Sequence, residues 1–303
     1  MKLHHSAVIL VSGLTIAACT ESPTEFPGAR ELRVSGDPVL VGAGDIASCA
    51  SGGDEITADL LDGIAGTVFT AGDNAYEQGT GREFNRCYDP TWGRHRARTR
   101  PSPGNHDYLA PGADGYFDYF DTRAGPSRRG YYSYDLGAWH VISLNSNIPA
   151  GAASNQAEWL RDDLAVNPNA CTLAYWHHPV FSSGEHGSLS KMKAIWGILD
   201  GAEVDVVVQG HDHDYERFAP QDADGNARTD GIRSFVVGTG GESLRPFDQV
   251  RRNSVVRNSQ SLGVLKLTLH ATSYSWKFIP EPGENFSDAG NADCITVGAR
   301  PRD

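Results

Sequence analysis

Thr67-Val68-Phe69-Thr70-Ala71-Gly72-Asp73-Asn74-Ala75-Tyr76 reads as a buried strand that stops on a glycine and an aspartate. The β-branched and aromatic residues from Thr67 to Ala71 suit a packed, pleated surface. Gly72, Asp73 and Asn74 are ordinary turn residues, and alone they would signify only a turn. Their place adds a second meaning, because open α/β sheets gather ligands at the C-terminal ends of their strands. Tyr76 is near enough in sequence to bring its phenol back to the same point.

The preceding residues repeat the device. Pro38 to Asp45 is a strand ending in Gly44-Asp45, and Asp54 to Ile64 is a helix with Ile56, Leu60, Leu61 and Ile64 on one face. A strand, a helix and a second strand joined by a right-handed crossover place the two strands parallel and their ends side by side. Asp45 and Asp73 would then repel each other unless a cation lay between them.

Further along, residues 83–100 are amphipathic and rich in arginine, which predicts a helix outside the sheet. Pro103 and Gly104 set a rigid turn that presents Asn105 and His106. Residues 108–134 form an aromatic loop expected to pack on the core. Strands are predicted at 139–145, 172–176 and 204–209, with helices at 156–164 and 191–199. The second of these strands delivers His177-His178, and the third delivers Gly210-His211-Asp212-His213. His178 is set aside because alternation along an extended strand would point it away from His177. His186 lies in the turn Ser183-Gly184-Glu185-His186-Gly187. Later strands are predicted at 233–237, 263–269 and 273–279. Asp222 to Asn226 reads as a hairpin turn, and His95, His140 and His270 stand alone as structural histidines.

Composition limits the alternatives. The chain has 303 residues and a formal net charge of -12, with no basic stripe to neutralise nucleic-acid phosphates. Lys2 precedes an apolar segment from Ala7 to Ala18 that is shaped like a signal peptide and is too short to span a bilayer. The expected layout is a signal peptide over 1–18, a tether over 19–36, one domain over 37–281 and a tail over 282–303. Ile16-Ala17-Ala18-Cys19 resembles the lipobox of bacterial lipoproteins, which would make a lipid anchor at Cys19 the sole membrane contact. Export follows, to the periplasm or cell surface as a lipoprotein, or otherwise as a secreted protein. Cys49, Cys87, Cys171 and Cys294 remain, an even number that suggests two disulfides. Three pairings are open; Cys49 with Cys87, and hence Cys171 with Cys294, is preferred because it clips the loops after the first two strands.

The ordered set Asp45, Gly72-Asp73-Asn74-Ala75-Tyr76, Gly104-Asn105-His106-Asp107, His177, His186 and Gly210-His211-Asp212-His213 resembles the calcineurin-like metallophosphoesterases. Within them it is most similar to the purple acid phosphatases. Many members of the superfamily carry a histidine two residues after the first aspartate. Here that position is Ala47, and a tyrosine placed as Tyr76 is takes over in purple acid phosphatases. Those enzymes usually have glycine at the Ala47 position, so the match is not complete.

The resemblance implies a four-layer α/β/β/α sandwich of two mixed β-sheets flanked by helices. It also implies two metal ions, the first held by Asp45, Asp73, Tyr76 and His213 and the second by Asp73, Asn105, His177 and His211. A phenolate ligand calls for a strongly polarising, oxygen-loving ion. Fe(III) is therefore expected in the first site, with Fe(II), Zn(II) or Mn(II) in the second. Set against Asp45, Asp73 and a phenolate, such a pair leaves about +2, which suits a phosphate dianion. The implied reaction is hydrolysis of a small phosphate monoester by a metal-bound hydroxide, with His106 on the phosphoryl oxygens and His186 at the leaving group. Activity would favour acid solution if His186 must be protonated. A phosphodiesterase with two divalent ions is the alternative on the same fold, and a binding protein on a decayed scaffold is the alternative in another class.

Overall fold

Two β-sheets lie face to face in the computed structural model, which describes Met1 and residues 36–295. The first has the spatial order Ala289–Asp293, Ser273–Pro280, Gly263–Leu269, Val39–Ala43, Thr67–Ala71 and Thr99–Ser102. The second runs Ser254–Asn258, Tyr215–Phe218, Arg233–Val237, Val206–Gln209, Cys171–Tyr175, Trp139–Ser143 and Tyr132–Leu136. Both are mixed. In the first, Val39–Ala43, Thr67–Ala71 and the edge strand Thr99–Ser102 are parallel and the other pairings antiparallel; in the second the central pairings are parallel and the outer ones antiparallel.

The core between the sheets takes Leu40, Phe69, Leu265 and Phe278 from one and Trp139, Leu173, Val208 and Phe235 from the other. Each such side chain contributes roughly 1.5–3 kcal/mol by leaving water. A second core joins the other face of the seven-stranded sheet to helices Asn155–Val166 and Lys193–Gly201 through Ala157, Leu160, Ile195, Trp196 and Leu199. Helix Gly53–Asp62 covers the six-stranded sheet. The expected four-layer α/β/β/α arrangement is therefore the one observed. Aromatic residues of 108–134 are buried in the first core, Tyr116 and Phe120 completely.

Several details differ from the expectations. Helix Gly53–Asp62 buries Thr57, Ala58 and Leu61, whereas Ile56 is exposed. Its inner face is polar because it meets backbone: Thr57 Oγ1 donates to Gly240 O (2.5 Å), and Trp92 Nε1 donates to Thr57 (2.9 Å). Residues 83–100 are not one helix. They break into short turns, Phe84–Tyr88 and Trp92–Arg98, followed by strand Thr99–Ser102. Pro90 has no N–H to donate and interrupts the helical ladder. The sheet also continues past residue 281, because Ala289–Asp293 pairs with Ser273–Pro280.

Both preferred disulfides are formed, Cys49 with Cys87 and Cys171 with Cys294. The second ties the outermost strand of one sheet to the Cys171–Tyr175 strand of the other across 123 residues of sequence. Replacing Cys171 and Cys294 with alanine should lower stability by about 2–5 kcal/mol. Chemical denaturation reads this, and an unchanged midpoint would show the closure to be dispensable. The leader, Cys19 and the tether lie outside the described residues. No described helix is long and apolar enough to cross a membrane.

Candidate metal centre

Four parallel strand ends converge at one edge of the sandwich. Asp45 follows Val39–Ala43, Asp73 follows Thr67–Ala71, His177 follows Cys171–Tyr175, and His211 and His213 follow Val206–Gln209. Asp45 (φ 61°), Asp73 (φ 48°) and His211 (φ 73°) sit in the left-handed region, a strain that side chains repay only where the surroundings demand it. The bends turn these groups inward. Glycine beside them permits the approach: a Cβ on Gly104 would lie 2.0 Å from Asp73 Oδ1, and one on Gly72 would lie 2.5 Å from His177 Nδ1.

At one end of the cluster the Tyr76 hydroxyl is 2.9 Å from Asp45 Oδ1, 3.1 Å from Asp73 Oδ2 and 3.3 Å from His213 Nε2. At the other, His177 Nε2 is 3.1 Å from Asp73 Oδ2, 3.0 Å from Asn105 Oδ1 and 3.1 Å from His211 Nδ1. Asp73 Oδ2 thus belongs to both groups. The outer ring nitrogens fix the tautomers. His177 Nδ1 donates to Ala71 O (2.8 Å) and His213 Nδ1 to Ser243 O (2.8 Å), so that each Nε2 faces inward and offers a lone pair once its proton is displaced.

These residues fit a pair of cations. Tyr76 has one proton for two carboxylates and an imidazole, and the second group is almost entirely lone pairs. Protons that do reside here are held firmly. Burial opposes a charged imidazole, yet the Asp73 and Asp45 charges push His177 up to about 9. Burial, with Asp45 and Asp73 beside it, pushes the Tyr76 phenol far above its usual range. An ion of high charge would displace these protons, so binding would strengthen as pH rises.

The flanking histidines are placed differently. His106 donates its backbone N–H to Asp73 Oδ1 (2.7 Å), and its ring lies 4.4 Å from the Tyr76 ring. His186 is exposed, its ring stacked 4.6 Å from that of His211. His95, His140 and His270 take their own carboxylate partners, Asp62, Asp135 with Asp163, and Asp37.

Two residues enter that the sequence reading left without a role. His178 does not point away: its ring is 4.5 Å from His211, and ring nitrogens of His177, His178 and His211 lie within 4.8 Å of one another. The strand ends at Tyr175, so alternation no longer governs the next residues. Burial and the neighbouring His177 push the His178 imidazole down to about 2. Asp107 is fully buried and accepts from Gly104 N (2.8 Å) and from Asn74 N and Nδ2 (3.2 and 2.9 Å), locking together the turns that carry Asp73 and Asn105. Its place at the end of the turn Gly104-Asn105-His106-Asp107 was the available signal.

A family model for calcineurin-like phosphoesterases matches residues 38–215. Purple acid phosphatase 21 of Arabidopsis thaliana is 38% identical over 96 residues, 30% of this chain and 22% of that protein. Purple acid phosphatase 15 of the same plant is 26% identical over 253 residues, 71% of this chain and 44% of that protein. The chain thus spans less than half the length of these relatives. Among solved structures, the purple acid phosphatase PPD1 of yellow lupin superposes with a TM-score of 0.69 at 17% identity, covering 84% of this chain and 53% of that one.

Proposed function

The chain belongs to the calcineurin-like phosphoesterase family, and from that premise we propose that it hydrolyses phosphate monoesters as a purple acid phosphatase-like enzyme. The observation that carries this reading is the Tyr76 hydroxyl, seated between Asp45 and Asp73 where the histidine of other members is replaced by Ala47. Asp45, Asp73, Tyr76 and His213 would hold an Fe(III) ion, and Asp73, Asn105, His177 and His211 an Fe(II), Zn(II) or Mn(II) ion. When bound, such ions supply positive charge for a phosphoryl group and lower the pKa of a coordinated water.

The protein's own groups do the rest. Asp73 couples the two halves of the cluster through one oxygen. Ala71 O and Ser243 O hold the imidazoles in the ligating tautomer. His106, fixed by its backbone to Asp73, offers its ring to the phosphoryl oxygens. His186, outside on the turn above His211, gives a proton to the leaving oxygen as the P–O bond breaks. Two formed disulfides support work in an oxidising compartment, in keeping with export.

Metal analysis, a visible spectrum and turnover of paired chromogenic substrates test this together. About two ions per chain, one of them iron, are expected, with a visible charge-transfer band and faster cleavage of 4-nitrophenyl phosphate than of bis(4-nitrophenyl) phosphate. A colourless protein with two divalent ions that prefers the diester would overturn the reading in favour of a phosphodiesterase.

A further inference from the structure

Residues 211–216 alternate in what they serve. His211 and His213 face the cluster, while Asp212 and Glu216, both fully buried, bind the turn that carries His186. Asp212 Oδ1 accepts the His186 backbone N–H (2.7 Å), and its Oδ2 accepts the Ser182 hydroxyl. Glu216 accepts the Ser183 backbone N–H (2.8 Å) and the Ser183 hydroxyl (2.5 Å), with the Ser254 hydroxyl on the same carboxylate. Arg251 N donates to Ser183 Oγ (2.8 Å), and Asp248 N donates to Ser183 O (3.0 Å). Gly184 presses on this base so closely that a Cβ there would come 2.4 Å from Asp212 Cγ and 2.5 Å from Asp214 Oδ2. The turn is rooted in buried carboxylates, and His186 stands exposed at its tip.

Buried carboxylates are costly unless hydrogen bonds satisfy them, and these two spend most of their acceptor bonds on a single turn. Displacing a reacting group by about 1 Å can cost about 100-fold in rate. We infer that Asp212 and Glu216 are positioning residues that hold the Ser182–His186 turn so that His186 meets the leaving group. This rests on the proposed role of His186. Asp212 lies between two of the proposed ligands, so the residue that aims the proton donor also belongs to the segment that holds the ions.

The test compares an alkyl phosphate, whose leaving oxygen needs a proton, with 4-nitrophenyl phosphate, whose leaving group does not. Glu216→Gln and Ser183→Ala are expected to keep their metal content and lose at most a few-fold on the nitrophenyl ester. On the alkyl ester they should lose about 10- to 100-fold, with faster amide exchange at Ser183 and His186. Glu216→Gln should add nothing once His186→Ala is present. If His186→Ala slows both esters equally, the reading of His186 fails. If His186→Ala is selective but the other variants match wild type, or lose both esters in step with their metal, the positioning role is overturned. Should Glu216→Gln not fold, Ser183→Ala, which removes one hydroxyl, decides the matter on the same substrates.

Discussion

Asp73→Asn is expected to abolish turnover, by at least about 1,000-fold in kcat, and to leave the protein unable to retain both metal ions. Asp73 Oδ2 stands 3.1 Å from the Tyr76 hydroxyl and 3.1 Å from His177 Nε2, so it is the one oxygen common to both ends of the cluster. Asparagine keeps the shape and the bond from the His106 N–H to Oδ1, but it removes the negative charge and can turn an NH2 toward the lone pairs of His177. Burial resists the ionised carboxyl, yet the charges of His177 and His106 hold Asp73 below its usual range. The surroundings therefore favour its anionic form. Metal analysis and kcat on a chromogenic monoester measure the effect. A variant that keeps two ions and normal turnover would end the shared-carboxylate account.

Tyr76→Phe should erase the visible absorption band and weaken the first site for a trivalent ion, leaving the fold intact. The ring is 2% exposed and packs against His106, contacts that phenylalanine retains. Only the hydroxyl is lost, and with it the proposed phenolate ligand, which would call for a strongly polarising cation. Removing a hydrogen bond to a charged carboxylate costs about 1.5–3 kcal/mol, so a cooperative melting curve only modestly below wild type would separate this outcome from misfolding. A band that persists in Tyr76→Phe would show that the colour does not arise from this phenolate.

Local pattern accounts for much of what was legible. Asp45, Asp73, His177, His211 and His213 were found because each follows a strand whose apolar run is plain in the sequence, and parallel strands put such ends together. Asn105 and His106 were found from the rigid turn at Pro103 and Gly104. The strands that were missed, Thr99–Ser102, Tyr132–Leu136, Tyr215–Phe218, Ser254–Asn258 and Ala289–Asp293, are short or polar, and all but Tyr215–Phe218 lie toward the margins of their sheets. Ala289–Asp293 carries no hydrophobic period, and the neighbouring strand and a disulfide, rather than its own side chains, hold it.

By itself, then, the ordered set of strand-terminal motifs pointed through its family resemblance to the layered α/β architecture, the family and the cluster of candidate ligands. Those signals are local: parallel pairing brings Asp45 beside Asp73 in one sheet and His177 beside His211 in the other, and the packing of the two sheets joins the pairs. Tertiary structure alone decided which face of helix Gly53–Asp62 is buried, where His178 points, and that Asp107, Asp212 and Glu216 brace the turns around the cluster. These depend on bonds between segments as distant in sequence as Ser183 and Glu216, and no periodicity along the chain encodes which donor will meet a buried carboxylate. Tyr76 needed both. The sequence marked it as a substitute for a missing histidine, and only the folded chain set its hydroxyl between Asp45 and Asp73.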